Sequence, residues 1–270
     1  MISLNKVANV NDFLDQEFID SLRKYGASSV AQYPIIPVEQ KNRKAWEVGM
    51  VLHAFDRLGV LTPTAEILGI GVAKEETISL LSPHVKRLFA TDIYCNPDTW
   101  NGWHGTDLMI DASQFLTQPY NRRRVVWQHV DGRSLPYEDN TFDAIFSCSS
   151  FEHFGSEADI RQAIGEACRV LKPGGVAVIS TEFKISGPRD WFCNVQFFDA
   201  ARIQKVWLDG IGWELFSPID LMLDDTVFID YERSIHDDQY KLTAAPHIKL
   251  DNGEFRWTSV NLTCMKKMKA

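Results

Sequence analysis

The sequence predicts a doubly wound α/β domain, and three observations predict it. Apolar runs and helical stretches alternate from residue 65 onward, the signature of β-α-β units with right-handed crossovers. Each apolar run closes on a glycine or polar residue, which is where an open α/β sheet presents its ligand side. The run Val176–Ser180 is apolar without alternation, as expected of a parallel strand buried on both faces.

Two helices precede this region. Phe13, Leu14, Phe18, Ile19 and Leu22 share one face of a predicted helix over Asn11–Tyr25. Tyr33-Pro34-Ile35-Ile36-Pro37 cannot be regular helix, since each proline lacks a donor and restricts its predecessor. A second helix is predicted from Pro37 to Leu58, with Trp46, Met50, Val51, Ala54 and Phe55 at helical spacing and Gly59 as its stop. His53 within it reads as a satisfied helix histidine. Residues 1–61 are therefore expected to form a helical cap and residues 62–270 the main domain.

In that domain the strand Ala65–Ile70 breaks at Gly69 and Gly71 into a helix over Lys74–Leu81. Arg87–Thr91 is a strand ending at Asp92. Residues 93–123 lack periodicity apart from a short helix near Asp111–Leu116, and a connection this long is usually functional or mobile. Strands follow at Arg124–Val130, ending at Asp131, and at Phe142–Cys148. The helix Glu157–Leu171 stops at Lys172-Pro173-Gly174-Gly175, and Val176–Ser180 is the next strand. Beyond it come a helix at Asp199–Leu208, a strand near Trp213–Phe216, an unassigned segment 217–254 and a last strand Phe255–Cys264.

Composition narrows the function. The apolar fraction of 45% is ordinary for a globular chain, and no apolar run reaches the roughly 18 residues of a membrane span. A net charge of −8 argues against nucleic acid as the main partner, because phosphate binding needs a basic stripe. The one basic cluster, Arg122-Arg123-Arg124, is short. Five cysteines (95, 148, 168, 193 and 264) are scattered without a CxxC pair, which reads as a reduced, cytoplasmic chain with no zinc site.

The strand ends collect the candidate site: Gly69 to Glu75, Asp92, Asp131, Ser147 to His153, and Thr181-Glu182. A glycine turn lets backbone approach a ligand closely. An acidic residue about 20 positions later, here Asp92, is placed to accept hydrogen bonds from a ribose diol.

The succession ILGIGVAKE, ATDIY, HVDGRSLPYEDNTFDAIFSCSSFEHF and EACRVLKPGGVAVIS resembles the class I S-adenosylmethionine-dependent methyltransferases over about Ala65–Thr181. The resemblance implies a Rossmann-like, mostly parallel seven-stranded sheet with helices on both faces and the last strand antiparallel. It implies S-adenosylmethionine as cofactor, with Gly71 and Ala73 under its methionine moiety, Gly69 as a further cofactor-binding candidate in the same stretch, and Asp92, with Ile93 beside it, on the ribose. Asp131 and Gly132 would then meet the adenine, with Ser147 at the end of the fourth strand. The cofactor-binding core would be residues 65–181, and the acceptor side residues 182–254 with the N-terminal helices.

Three positions depart from the family pattern. Gly69 stands where a carboxylate is usual, and Ala73 and Glu75 where glycines are. Glu75 is placed either to face the cofactor's ammonium group or simply to suit a helix N-terminus. Methyl transfer is an in-line displacement in which the cofactor carries the hard chemistry, so a protein base is needed only for a weakly acidic acceptor. His153 is the best-placed base, with Glu182 and His104 behind it, although the same E-H pair also supports the fold in such families. Trp100, Trp103 and Trp191 line an acceptor pocket or simply pack. The expected activity is methylation of a small-molecule or sugar-like acceptor, at oxygen. A nicotinamide oxidoreductase is the first rival, disfavoured because G-x-G-x-x-G is not met and Asp131 would lack a role. A non-catalytic binding module with the same fold is the second.

Overall fold

A computed structural model describes residues 2–96, 105–116, 118–192 and 194–268. Its centre is a sheet whose seven principal strands are β1 (Glu66–Ile70), β2 (Arg87–Asp92), β3 (Val125–His129), β4 (Phe142–Cys148), β5 (Leu171–Ser186), β6 (Trp213–Leu215) and β7 (Arg256–Lys266). They lie in the order β3-β2-β1-β4-β5-β7-β6. Pairings from β3 to β5 are parallel, with Leu68 opposite Phe89 on one side and Ile145 on the other. β7 is antiparallel to both β5 and β6. Short strands at Lys6–Val7, Ile229–Asp230 and Leu250–Asp251 extend the sheet to ten, so the seven-strand expectation describes its core rather than its full width.

Helices α1 (Gln16–Tyr25), α2 (Arg43–Arg57), α3 (Glu76–Leu81) and α4 (Glu157–Val170) accompany the sheet. β5 shows why both faces are covered: Val176 and Val178 join a core with Trp46, Phe55 and Ile67, while Ala177 and Ile179 join one with Phe151, Ile164 and Trp207. Alternation of side chains across a strand, with both sides apolar, makes each strand read as a continuous hydrophobic run. Burying side chains such as these contributes roughly 1.5–3 kcal/mol each.

Polar caps moved the helix boundaries. The predicted helix Asn11–Tyr25 is a short 3-10 turn followed by α1, because the Asp15 carboxylate accepts from Phe18 N at 3.0 Å and starts a new helix there. α2 begins at Arg43 rather than Pro37, since the Asn42 side chain caps Ala45 N at 2.9 Å. α4 opens with a reciprocal Ser156–Asp159 capping box. Segment 217–254 is not featureless: it holds helices at Tyr231–His236 and Asp238–Thr243 besides its two short strands. It packs beside the start of α2, where Arg43 N donates to His247 O at 2.9 Å. No helix among the described residues is long and apolar enough to cross a membrane.

Candidate active site

At the C-terminal ends of β1 to β4 lies a cleft of about 300 Å³, at the small end of ligand pockets. It brings together Gly71, Asp92, Ile93, Asp131, Gly132 and His153 from four separate stretches of chain. Gly71 takes φ +64, and a Cβ on it would sit 2.5 Å from that of Ser150. A Cβ on Gly132 would sit 2.7 Å from the Phe154 ring, so both glycines keep the cleft floor low. The Asp92 carboxylate accepts from Ala73 N at 2.9 Å and from Ile93 N at 2.7 Å, tying the turn after β1 to the end of β2. Ala73 holds φ +45, a left-handed conformation at the position where glycine is usual in the family. Its carbonyl accepts from the Tyr94 hydroxyl at 2.9 Å.

Asp131 is held rather than open. Arg133 grips its carboxylate through Nε at 2.9 Å and Nη2 at 2.6 Å, which lowers the Asp131 pKa, with partial burial opposing. Arg133, Asn96, Phe154 and Gly155 also line the cleft and were not singled out from sequence. The pairing of Arg133 with a carboxylate two residues away was the available signal. His153 sits exposed at the rim. Desolvation lowers its imidazole pKa, the negative charge of Glu182 pulls the other way, and Lys44 adds to the lowering.

The remaining candidates lie outside this cleft. Gly69 is within β1, where a Cβ would meet the Phe146 ring at 2.7 Å, so the family's usual carboxylate has no room there. Ser147 is buried and donates to Ile70 O at 2.7 Å, stitching β4 to β1. Glu75 lines a second cavity of about 370 Å³ beneath α2, with Lys44 and Cys148. Glu182 is buried in an ion pair with Arg43, which also reaches Ser259 Oγ at 3.3 Å. Trp191 is exposed at 52% on a small hairpin, stacked by Arg189 at 5.9 Å. His53 is buried in α2 with Nδ1 at 3.0 Å from Ser21 Oγ, but its Nε2 is buried with no hydrogen-bond partner among the described residues, so the ring is only half satisfied. Trp100, Trp103 and His104 lie outside the described residues.

Behind the second cavity is a buried network that sequence reading missed. Glu47 of α2 accepts from Ser149 Oγ at 2.8 Å, Ser259 Oγ at 2.5 Å and Lys44 Nζ at 2.9 Å. Glu152, fully buried, accepts from Thr181 Oγ1 at 3.0 Å. Among the described residues, no group of three or more His, Cys, Asp or Glu side chains is arranged to hold a metal ion.

Comparison with known proteins agrees with this architecture. Residues 68–179 match the family model described as a methyltransferase domain. The uncharacterised methyltransferase YcgJ of Bacillus subtilis strain 168 is 28% identical over 161 residues, covering 57% of this chain and 58% of YcgJ. The 27-O-demethylrifamycin SV methyltransferase of Amycolatopsis mediterranei is 34% identical over 83 residues, 31% of this chain and 28% of that enzyme. The chain thus matches little more than half of the longer-matching relative and under a third of the other. In structure, YcgJ superposes with a TM-score of 0.52 at 15% identity, over 83% of this chain and 99% of YcgJ. Phosphoethanolamine N-methyltransferase 2 of Haemonchus contortus, solved with S-adenosylmethionine, gives 0.53 at 14% identity, over 97% of this chain and 61% of that one. Likeness at such identity speaks for the fold. With the strand order, the cleft and the matched region all in agreement, the chain carries a methyltransferase domain over residues 68–179 with the Rossmann-like fold of S-adenosylmethionine-dependent methyltransferases.

Proposed function

We propose that this protein transfers a methyl group from S-adenosylmethionine to a small-molecule or sugar-like acceptor, at oxygen. The observation that carries the reading is the cleft itself, where Gly71, Asp92, Asp131 and His153 converge at the carboxyl ends of parallel strands. When bound, the cofactor supplies a methyl group on a sulfonium, displaced in line. The residues present fit it: Gly71 and Gly132 leave the floor without side chains, and the Asp92 carboxylate is the ribose acceptor. Asp131, steadied by Arg133, is the residue on the adenine side. Asp92 also anchors Ala73 and Ile93, so one carboxylate both shapes the turn and faces the ligand.

His153 is the proposed base for the acceptor hydroxyl. Its lowered pKa keeps the ring neutral, and so able to accept a proton, at ordinary pH. Glu182 acts on it through its charge rather than by touching the acceptor, given the ion pair with Arg43. The N-terminal cap, residues 1–61, and segment 182–254 are proposed as the acceptor-side cover, supported by the reach of Arg43 and Glu47 onto the ends of β4, β5 and β7. Titration calorimetry with S-adenosylmethionine tests the cofactor assignment: saturable binding is expected, and its absence overturns the reading. His153→Ala is expected to cut turnover by about 10²–10³-fold with cofactor affinity retained. Unchanged turnover across pH removes His153 from the mechanism.

A further inference from the structure

The cavity beneath α2 is poor in counter-charge. Lys44, Glu75, Glu76 and Cys148 line it, and Glu76 is already engaged by Ser28 N at 2.6 Å and Gln118 Nε2 at 2.5 Å. Around and behind it stand four carboxyl groups, Glu47, Glu75, Glu152 and Glu182, against two cations, Arg43 and Lys44. Lys44 is spent on Glu47 and Arg43 on Glu182. Two carboxyls are left over. Glu75 accepts from the Thr77 hydroxyl at 3.2 Å, has the Cys148 thiol nearby, and must share the charge of Lys44 with Glu47. Glu152 accepts from Thr181 through Oε2, while its Oε1 is buried with no hydrogen-bond partner among the described residues. A buried polar atom left unpaired costs about 1–3 kcal/mol, so such atoms point to a missing partner.

The cavity is also next to the cofactor cleft. Glu75 belongs to the turn that begins at Gly71, which lines the cleft, and Ser150 Oγ donates to Gly71 O at 2.6 Å. Glu152 adjoins His153 at the rim. Building on the methyltransferase reading, we propose that the space beneath α2 receives a positively charged group, an ammonium or sulfonium, of the cofactor or of the acceptor. Entry of that cation displaces the protons held by Glu75 and Glu152. Burial pushes Glu75 up to about 8, with Glu47 raising it further and Lys44 opposing. Burial and Glu182 push Glu152 up, with its own backbone amide and Lys44 opposing and Glu47 adding to the rise. Tyr94, Cys148, His153 and Glu76 are further titratable groups around the pair among the described residues. The free protein thus holds both carboxyls protonated at neutral pH, and a cation favours their ionised form.

Binding that expels a proton strengthens as pH rises and levels off above the free group's pKa. Affinity is expected to increase about tenfold per pH unit for each proton expelled, up to about pH 8. His153 titrates below this window, since its pKa is lowered. The test is calorimetry of the intact protein in buffers of different ionisation enthalpy, which counts protons released on binding. Two additions are compared: S-adenosylmethionine, and choline chloride over saturating S-adenosylhomocysteine with neutral 3,3-dimethylbutanol as control. Release with S-adenosylmethionine, reduced in Glu75→Gln and Glu152→Gln, assigns the cation to the cofactor. Release with choline and not with its neutral isostere assigns it to the acceptor. Comparison with the variants subtracts any titration of the ligand itself. If neither addition releases protons from the wild-type protein near pH 7, the proposal falls. Measurable affinity for S-adenosylmethionine in the same titration would leave the methyltransferase assignment standing.

Discussion

The two sides of the strand ends use carboxylates in opposite ways. Over β1 to β3, Asp92 and Asp131 are part-exposed, one anchoring two backbone amides and one gripped by Arg133, which lowers its pKa. Beneath α2, Glu47, Glu152 and Glu182 are buried, and only some have a cation of their own. A half-solvated carboxylate is a ready hydrogen-bond acceptor at small energetic cost. A buried one stays in place only if a partner or a proton neutralises it. The Asp92 and Asp131 side therefore offers ready acceptors, and the α2 side holds carboxyl groups that burial disfavours in their charged form.

The contrast predicts a graded set of effects. Arg43→Met should be the most damaging change, costing about 3–5 kcal/mol by leaving Glu182 buried without its cation, measured by chemical denaturation. Adding Glu182→Leu should recover most of that loss. Failure of the single change to destabilise would mean that the α2 side is better solvated than its burial indicates. Next comes Asp92→Asn, which should weaken S-adenosylmethionine binding by about 10–100-fold in calorimetry, the worth of a charged hydrogen bond.

Stability against pH separates the two sides by sign. A carboxyl whose folded pKa lies above its unfolded value binds more protons when folded, so stability falls as pH rises between the two values. For Glu75 that window runs from the ordinary value of about 4.3 to about 8, and Glu152 shifts in the same direction. The melting temperature of the ligand-free protein should thus decline from about pH 5 to pH 8, and Glu152→Gln should flatten the decline. Asp131 behaves oppositely. Its folded pKa is lowered, so its stabilisation is present above the unfolded value of about 3.9 and is lost as pH falls further. Arg133→Gln should change stability by less than about 1 kcal/mol, because both partners are 42% exposed. A larger loss would show that the cleft carries strain which its exposure does not reveal.

Much of the fold was legible because it rests on short-range patterns. The apolar runs at β1, β2, β4 and β5 and the stop at Lys172-Pro173-Gly174-Gly175 follow from strand burial and backbone chemistry. Asp92 and Asp131 were found because strand ends in an open sheet face one way. Misjudged boundaries trace to caps: Asp15 and Asn42 are unremarkable in an apolar pattern until their side chains accept from the backbone. Glu75 was noted for its place in the turn, but whether it faced cofactor, solvent or α2 depended on a helix some 30 residues earlier. Arg43, Lys44 and Glu47 gave no signal at all, since a charged stretch on a helix ordinarily reads as a solvated face.

By itself, then, the sequence determined the alternation of strands and helices, the carboxylates at the strand ends and the ligand class they imply, for these need only local periodicity and the direction of a strand. Tertiary structure decided what each carboxylate does. It set Gly69 against Phe146, locked Asp131 to Arg133, and folded α2 over Glu75, Glu152 and Glu182. The reason is physical: a carboxyl group's charge depends on the water and partners around it, and those come from chain segments far apart in sequence.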